Sequence, residues 1–173
     1  NNTLYFHADD GTHGLELWKT DGTENGTAMV KDINPNPNAG SYYGILVPFN
    51  NALYFGANNG QGIGLWKSDG TAGGTVMVKW NIDVLIGSNF NFAIFNSELY
   101  FRADDWIHGR ELWKTDGTEN GTAMVKDINL TNTDHSSPSV FKVLNGALLF
   151  FATDGVNGGE LWKTDGTGIG TEM

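Results

Sequence analysis

Hydrophobic residues in this chain fall into short runs separated by clusters of Gly, Asn, Asp and Thr, and the runs repeat. The first kind of run reads Leu-Tyr-Phe, or Leu-Leu-Phe in its last copy: Leu4–Phe6, Leu53–Phe55, Leu99–Phe101 and Leu148–Phe150. About 13 residues later each copy continues with Leu-Trp-Lys-Thr/Ser-Asp-Gly-Thr: Leu17–Thr23, Leu65–Thr71, Leu112–Thr118 and Leu161–Thr167. This periodicity indicates four copies of one structural unit.

Each unit contains four predicted β-strands. In the third copy they cover Phe92–Phe95, Leu99–Ala103, Glu111–Thr115 and Ala123–Ile128, which are rich in aromatic and aliphatic residues. The pairs Asn96-Ser97 and Asn145-Gly146 separate the first two strands, and such residues favour tight turns because they tolerate positive φ. No segment has apolar residues at helical spacing over ten residues. The sequence therefore predicts an all-β protein with almost no helix.

Four antiparallel strands in a unit of this length are typical of a β-propeller blade. We predict a propeller-type array of about four blades, with units near residues 1–41, 42–87, 88–135 and 136–173. The predicted strand numbers are three, four, four and three, so the first and last blades are incomplete. An open array leaves sheet faces and edges without partners, which predicts self-association, within a longer chain or in a ring or fibre of copies.

The repeated motif resembles that of the ELWxxDGT repeat family. It is matched at Glu16–Thr23, Glu111–Thr118 and Glu160–Thr167, while the second copy has Gly64 in place of the Glu. The resemblance extends over essentially the whole chain, and Glu16–Asn34 recurs letter for letter at 111–129. It implies a secreted bacterial protein with a propeller-like array of blades, and it implies no defined activity.

Composition excludes several classes of protein. The 173 residues carry a formal net charge of −10 and include no cysteine, which rules out a disulfide scaffold, a cysteine zinc site and a thiol nucleophile. The acidic balance disfavours nucleic acid, and no apolar run is long enough to span a membrane. No motif of a nucleophile elbow, phosphate loop or metallohydrolase occurs, so we expect a non-catalytic protein.

Two features recur in every unit and are interpreted as structural. The motif tryptophans lie at one strand position and are expected to pack between blades: Trp18, Trp66, Trp113 and Trp162. The Asp-Gly-Thr aspartates are expected to close hairpins as Asx turns: Asp21, Asp69, Asp116 and Asp165.

Calcium is the alternative for some of the acidic residues. Asp21 and Asp116 each begin a segment whose polar residues follow EF-hand-like spacing in the first and third units only. A second acidic loop joins the second and third strands and offers four further carboxylates: Asp9, Asp10, Asp104 and Asp105. His13 and His108 lie in the same loop, but two ligands from one loop do not make a zinc site.

Aromatic residues outside the repeat pattern are the candidates for ligand binding. Trp106 stands where the other units have Gly, Trp80 stands where the first and third have Asp, and Tyr42 and Tyr43 are predicted to lie in a Gly-Ser loop. An exposed aromatic on a loop can stack on a sugar or anchor a protein partner. The leading hypothesis is a non-catalytic extracellular module for adhesion or self-assembly. The alternative is a lectin-like propeller that binds carbohydrate, with or without calcium.

Overall fold

The computed structural model describes residues 2–84, 92–130 and 135–173, except for the side chains of Tyr42 and Tyr43. Its described part contains fifteen strands and no helix: β1 (Leu4–Asp9), β2 (Leu15–Thr20), β3 (Ala28–Lys31), β4 (Tyr42–Phe49), β5 (Ala52–Asn58), β6 (Ile63–Ser68), β7 (Val76–Trp80), β8 (Asp83–Val84), β9 (Phe92–Phe95), β10 (Glu98–Asp104), β11 (Arg110–Thr115), β12 (Ala123–Lys126), β13 (Ser139–Leu144), β14 (Ala147–Thr153) and β15 (Gly159–Thr164). The all-β prediction is therefore confirmed.

The strands form four antiparallel sheets, one for each sequence repeat. The strand orders are β1-β2-β3, β4-β5-β6-β7, β12-β11-β10 with β8 and β9 both beside β10, and β13-β14-β15. An isolated antiparallel bridge joins Lys163 of β15 to Glu172. Since Asp83–Val84 pair with Ala103–Asp104, the third sheet begins before the predicted unit boundary at 87/88.

Two-residue turns join β9 to β10 and β13 to β14, as the sequence predicts. Asn96 and Ser97 have φ of 50° and 62°, and Asn145 and Gly146 have φ of 50° and 78°. Positive φ at both central positions gives a turn whose twist matches that of the flanking strands. These turns fix the register of Phe95 opposite Glu98 and of Leu144 opposite Ala147.

The chain divides into two compact units, residues 1–81 and 82–173, each made of two sheets. The apolar core of the first unit joins Leu17 and Val30 of one sheet to Phe55 and Trp66 of the next. In the second unit the equivalent residues are Leu112 and Trp162, together with Tyr100, Ile128 and Phe150. Because neighbouring residues of a strand point to opposite faces, the motif Leu serves one face of its sheet and the motif Trp serves the other.

A lysine at the end of β3 and its equivalent in β12 add to these sheet-to-sheet contacts. Lys31 Nζ donates to Thr75 O at 2.8 Å and lies 5.9 Å from the centre of the Trp66 ring. Lys126 Nζ does the same with Thr171 O, at 2.7 Å, and with Trp162. The repeated sequence thus produces the same contact in both units.

The motif tryptophans are not equally buried. Trp66, Trp113 and Trp162 are 6%, 6% and 7% exposed, as expected for core residues. Trp18 is only half-buried, so this copy does not lie in the core of the described structure. Its ring lies on the face of the first sheet that points away from Leu17 and the core of its unit.

Candidate functional site

The Asp-Gly-Thr segments are self-contained turns. In the first copy, Thr23 donates its amide and its hydroxyl to Asp21 Oδ1, at 3.0 and 2.7 Å. Thr23 Oγ1 in turn accepts a hydrogen bond from Gly26 N at 2.9 Å. The same bonds form around Asp69, Asp116 and Asp165. These carboxylates cap their own turns, which agrees with the Asx interpretation.

The loop between the second and third strands uses its acidic residues in the same way. Asp10 accepts hydrogen bonds from Thr12 N, from His13 N and, at 2.7 Å, from the His13 ring. These three bonds, the one from the His13 amide most of all, lower the pKa of Asp10 to about 2. Asp105 and His108 form the same arrangement in the third sheet. The bonds to the carboxylates raise the pKa values of both histidines.

The candidate metal ligands are not brought together. Asp9 and Asp104 each accept a backbone amide two residues ahead, at 2.7 Å, and so belong to their own turns. In the described ranges, no three His, Asp or Glu side chains are grouped as a metal site would require. Asp21 and Asp116, the first residues of the EF-hand-like segments, each cap a hairpin turn.

Sequence reasoning placed the motif glutamates beside a strand end, and the structure buries two of them. Glu16 accepts hydrogen bonds from Ile33 N, Asn34 N and Ser41 Oγ, and Glu111 accepts them from Ile128 N, Ser136 N and Ser136 Oγ. Each carboxyl thus holds the connection that leads to the following sheet. Burial raises the pKa of both groups, to about 7 for Glu111.

The off-repeat aromatics have different surroundings. Trp80 is 45% exposed at the end of β7, and its ring lies over Gly62 so closely that a Cβ there would be 2.6 Å from it. Tyr42 and Tyr43 begin β4, so the prediction that they lie in a loop is wrong; their side chains lie outside the described part of the structure. Trp106 is 58% exposed and borders a cleft.

This cleft is the candidate binding site. It has a volume of about 320 Å³ and lies at the loop end of the third sheet, lined by Asp104, Trp106, Gly109, Arg110 and His135. Arg110 N donates to His135 Nδ1 at 3.0 Å, which joins the start of β11 to the segment that follows the third sheet. Sequence reasoning identified Trp106 and missed Arg110 and His135. Alignment of the repeats contained the signal for Arg110, because the other copies have Leu15, Ile63 and Gly159 at its position.

Comparisons with known proteins give a fold similarity alone. No protein-family model matches the sequence, and no curated protein matches it. A structure of puromycin hydrolase matches 99% of this chain with a TM-score of 0.60 and 13% identity, and a complexed mutant of that enzyme matches 95% with 0.59 and 13%. The chain spans about a quarter of each, 26% and 25%. An endo-1,4-beta-xylanase from Bacteroides thetaiotaomicron matches 95% of this chain and 66% of its own, at 17% identity and a TM-score of 0.40.

None of the described segments forms a helix that is long and apolar enough to cross a membrane.

Proposed function

We propose that this chain is a non-catalytic repeat module of β-propeller type, secreted by a bacterium, that binds further copies of its own repeat face to face. The observation that carries the proposal is that apolar residues on the outer face of the fourth sheet are exposed. Leu161 is 52% exposed there, whereas its equivalents Leu17 and Leu112 are 1% and 0% exposed. Phe151, which pairs with Leu161 in the sheet, is 47% exposed.

The polar residue of the same motif supports this interpretation. Glu160 is exposed, although Glu16 and Glu111 are fully buried by the segments that lead to the next sheet. The fourth sheet therefore has the apolar and acidic groups of a packed face without the residues that would cover them.

The first sheet has the complementary face. Trp18 is half-buried on it, and its equivalents Trp66 and Trp162 fill the contacts with a preceding sheet. In those contacts the tyrosine hydroxyl of the preceding sheet lies against a turn glycine, Tyr5 at Gly70 and Tyr100 at Gly166, while the space at Gly22 is open. In the proposed contact, the fourth sheet of a second copy packs on the first sheet of this chain, so that Leu161 of the second copy lies against Trp18. Leu149 of the second copy then takes the place that Tyr5 and Tyr100 have in the internal contacts.

Such an association joins two different surfaces and is therefore head-to-tail. It predicts that self-association depends on Leu161 on one side and on Trp18 on the other. Sedimentation velocity over a series of protein concentrations tests this with Leu161→Glu and Trp18→Ala variants. Each variant alone should be monomeric, and an equimolar mixture should form dimers that grow no further, because each partner keeps one intact face.

The matched control is Ile169→Glu, which makes a similar change at a turn residue that is 98% exposed. This variant should associate like the unmodified chain. A chain that stays monomeric up to about 0.5 mM, or a Leu161→Glu variant that associates normally, would contradict the proposal; the concentration limit corresponds to a binding free energy weaker than about −4.5 kcal/mol.

A further inference from the structure

The cleft of the third repeat combines features that the repeat pattern does not require. Residues 111–129 are identical to 16–34, so the first repeat shows what the fold alone needs. Just before this identical stretch, Trp106, Ile107 and Arg110 replace Gly11, Thr12 and Leu15. Two of these three substitutions line the cleft.

Trp106 is held in a backbone conformation that suits glycine. Its φ is 66°, and the equivalent residues Gly11, Gly60 and Gly155 have φ of 82°, 85° and 80°. A bulky residue in this region is strained, and strain of this kind marks functional positions. The turn itself is intact, because Trp106 N donates to Asp104 Oδ1 at 2.7 Å as Gly11 N does to Asp9. The indole is more than half exposed, so its packing offsets little of the energy of this strain.

The polar groups beside the indole are of both signs. Asp104 lies opposite Arg110 on one side and opposite Asp83 on the other, so three charged residues lie side by side across the sheet. The Nε atom of Arg110 is buried and has no hydrogen-bond partner in the described part of the chain. His135 accepts the Arg110 amide at Nδ1, which leaves Nε2–H as the donor of the neutral ring.

We propose that this cleft binds a neutral saccharide, with the apolar face of one sugar ring on Trp106 and its hydroxyl groups between Asp104 and Arg110. A hydroxyl both donates and accepts, so a polyhydroxylated ligand satisfies an acidic and a basic group together. The charged groups around the cleft balance, because Asp104 and Asp83 stand beside Arg110 and Arg102, so neither an anion nor a cation is favoured locally. The net charge of −10 further disfavours an anion. This site is independent of association through the outer sheet faces.

The test is isothermal titration of the whole chain with four neutral hexasaccharides: cello-, xylo-, manno- and maltohexaose. An oligogalacturonate is the charged comparison. The variants Trp106→Gly and Arg110→Leu install the residues of the first repeat, which fit the same turn there. Ile107→Thr is the matched control, because it also installs a first-repeat residue in the same loop and does not line the cleft.

We expect at least one neutral hexasaccharide to bind, and its affinity to fall at least about ten-fold in Trp106→Gly and in Arg110→Leu. The Ile107→Thr variant should bind like the unmodified chain. Absence of binding across the neutral series, binding of the acidic oligosaccharide alone, or undiminished binding by Trp106→Gly would each overturn the proposal. Circular dichroism of each variant verifies that a loss of binding is not a loss of fold.

Discussion

At the scale of single residues, the carboxyl group of Glu111 makes stability depend on pH. It is fully buried and is held by the amides of Ile128 and Ser136 and by the hydroxyl of Ser136. The Ser136 hydroxyl also lies 3.2 Å from Arg110 O, which can only accept. The Ser136 hydroxyl donates to the carboxyl at 2.6 Å, and this bond and the two amide bonds lower the pKa of Glu111. Burial raises the pKa by more than these bonds lower it, to about 7.

The pH dependence has a definite direction. The folded state keeps the Glu111 proton up to about pH 7, whereas the unfolded chain releases it near its ordinary pKa of 4.5. The stabilisation is complete below pH 4.5 and is lost as the pH rises to about 7, by an amount on the order of 3 kcal/mol. Urea unfolding at a series of pH values should show a smaller loss in Glu111→Gln than in the unmodified chain. The loss that remains comes from Glu16, His13 and His108, whose pKa values are also raised.

Glu160→Gln is the control for this measurement, because the same motif position is exposed in the fourth sheet. It should keep the full pH dependence of the unmodified chain. An unchanged pH profile in Glu111→Gln would show that the buried carboxyl is ionised throughout this range.

Trp106 is predicted to reduce the stability of the fold. Replacing it by glycine removes a side chain from a left-handed backbone position, which costs an ordinary residue about 1–2 kcal/mol. Since glycine also loses more conformational entropy on folding, we expect the Trp106→Gly variant to be as stable as the unmodified chain or up to about 1 kcal/mol more stable. Thermal unfolding measures this difference. A clear loss of stability would show that the indole packs on its neighbours and has a structural role.

At the scale of strands and sheets, the motif leucine contributes different amounts to the free energy of unfolding in different copies. Leu112 is fully buried between two sheets, and Leu161 is 52% exposed on an outer face. The Leu112→Ala variant should lose about 2–5 kcal/mol of unfolding free energy, and Leu161→Ala should lose at most about 0.5 kcal/mol. Chemical denaturation of monomeric protein at low concentration gives both values. Similar losses in the two variants would mean that Leu161 is covered in solution.

The tandem Leu-Trp explains why a single strand can serve two contacts. Its alternation directs Leu17 to the core of its own unit and Trp18 to the opposite face. A register shift opposite this pair recurs where β3, β7 and β12 pair with the motif strands of the first three sheets. A bulge at this place is therefore part of the repeat. A bulge increases the local twist of a sheet, and identical twist in each copy favours identical packing.

At the scale of the whole molecule, net charge opposes the association of copies. Each chain carries a formal charge of −10 at pH 7, so two copies repel each other. Salt screens this repulsion, since the Debye length falls from about 30 Å at 0.01 M to about 8 Å at 0.15 M. The apparent dissociation constant for self-association should therefore decrease when salt is raised over this range. An increase measured by sedimentation would indicate an interface dominated by opposite charges instead of apolar faces.

The sequence by itself determined the features that depend on neighbouring residues. The hairpin turn at Asn96-Ser97 follows from two residues that tolerate positive φ, and the Asp-Gly-Thr turn follows from one side chain that caps its own backbone. The third-unit strands agree with the prediction to within about two residues at their ends, because an apolar run between turn signals defines a strand locally. The number of sheets followed from the period of the repeat.

Only the tertiary structure decided which copies of a repeated residue are buried. The sequence is the same around Trp18 and Trp113, but one indole is half-buried and the other is 6% exposed. Likewise, the contact of Arg110 with His135 joins residues 25 positions apart. Burial and long-range hydrogen bonds depend on what lies across the space between sheets, and a local pattern of residues does not contain that information.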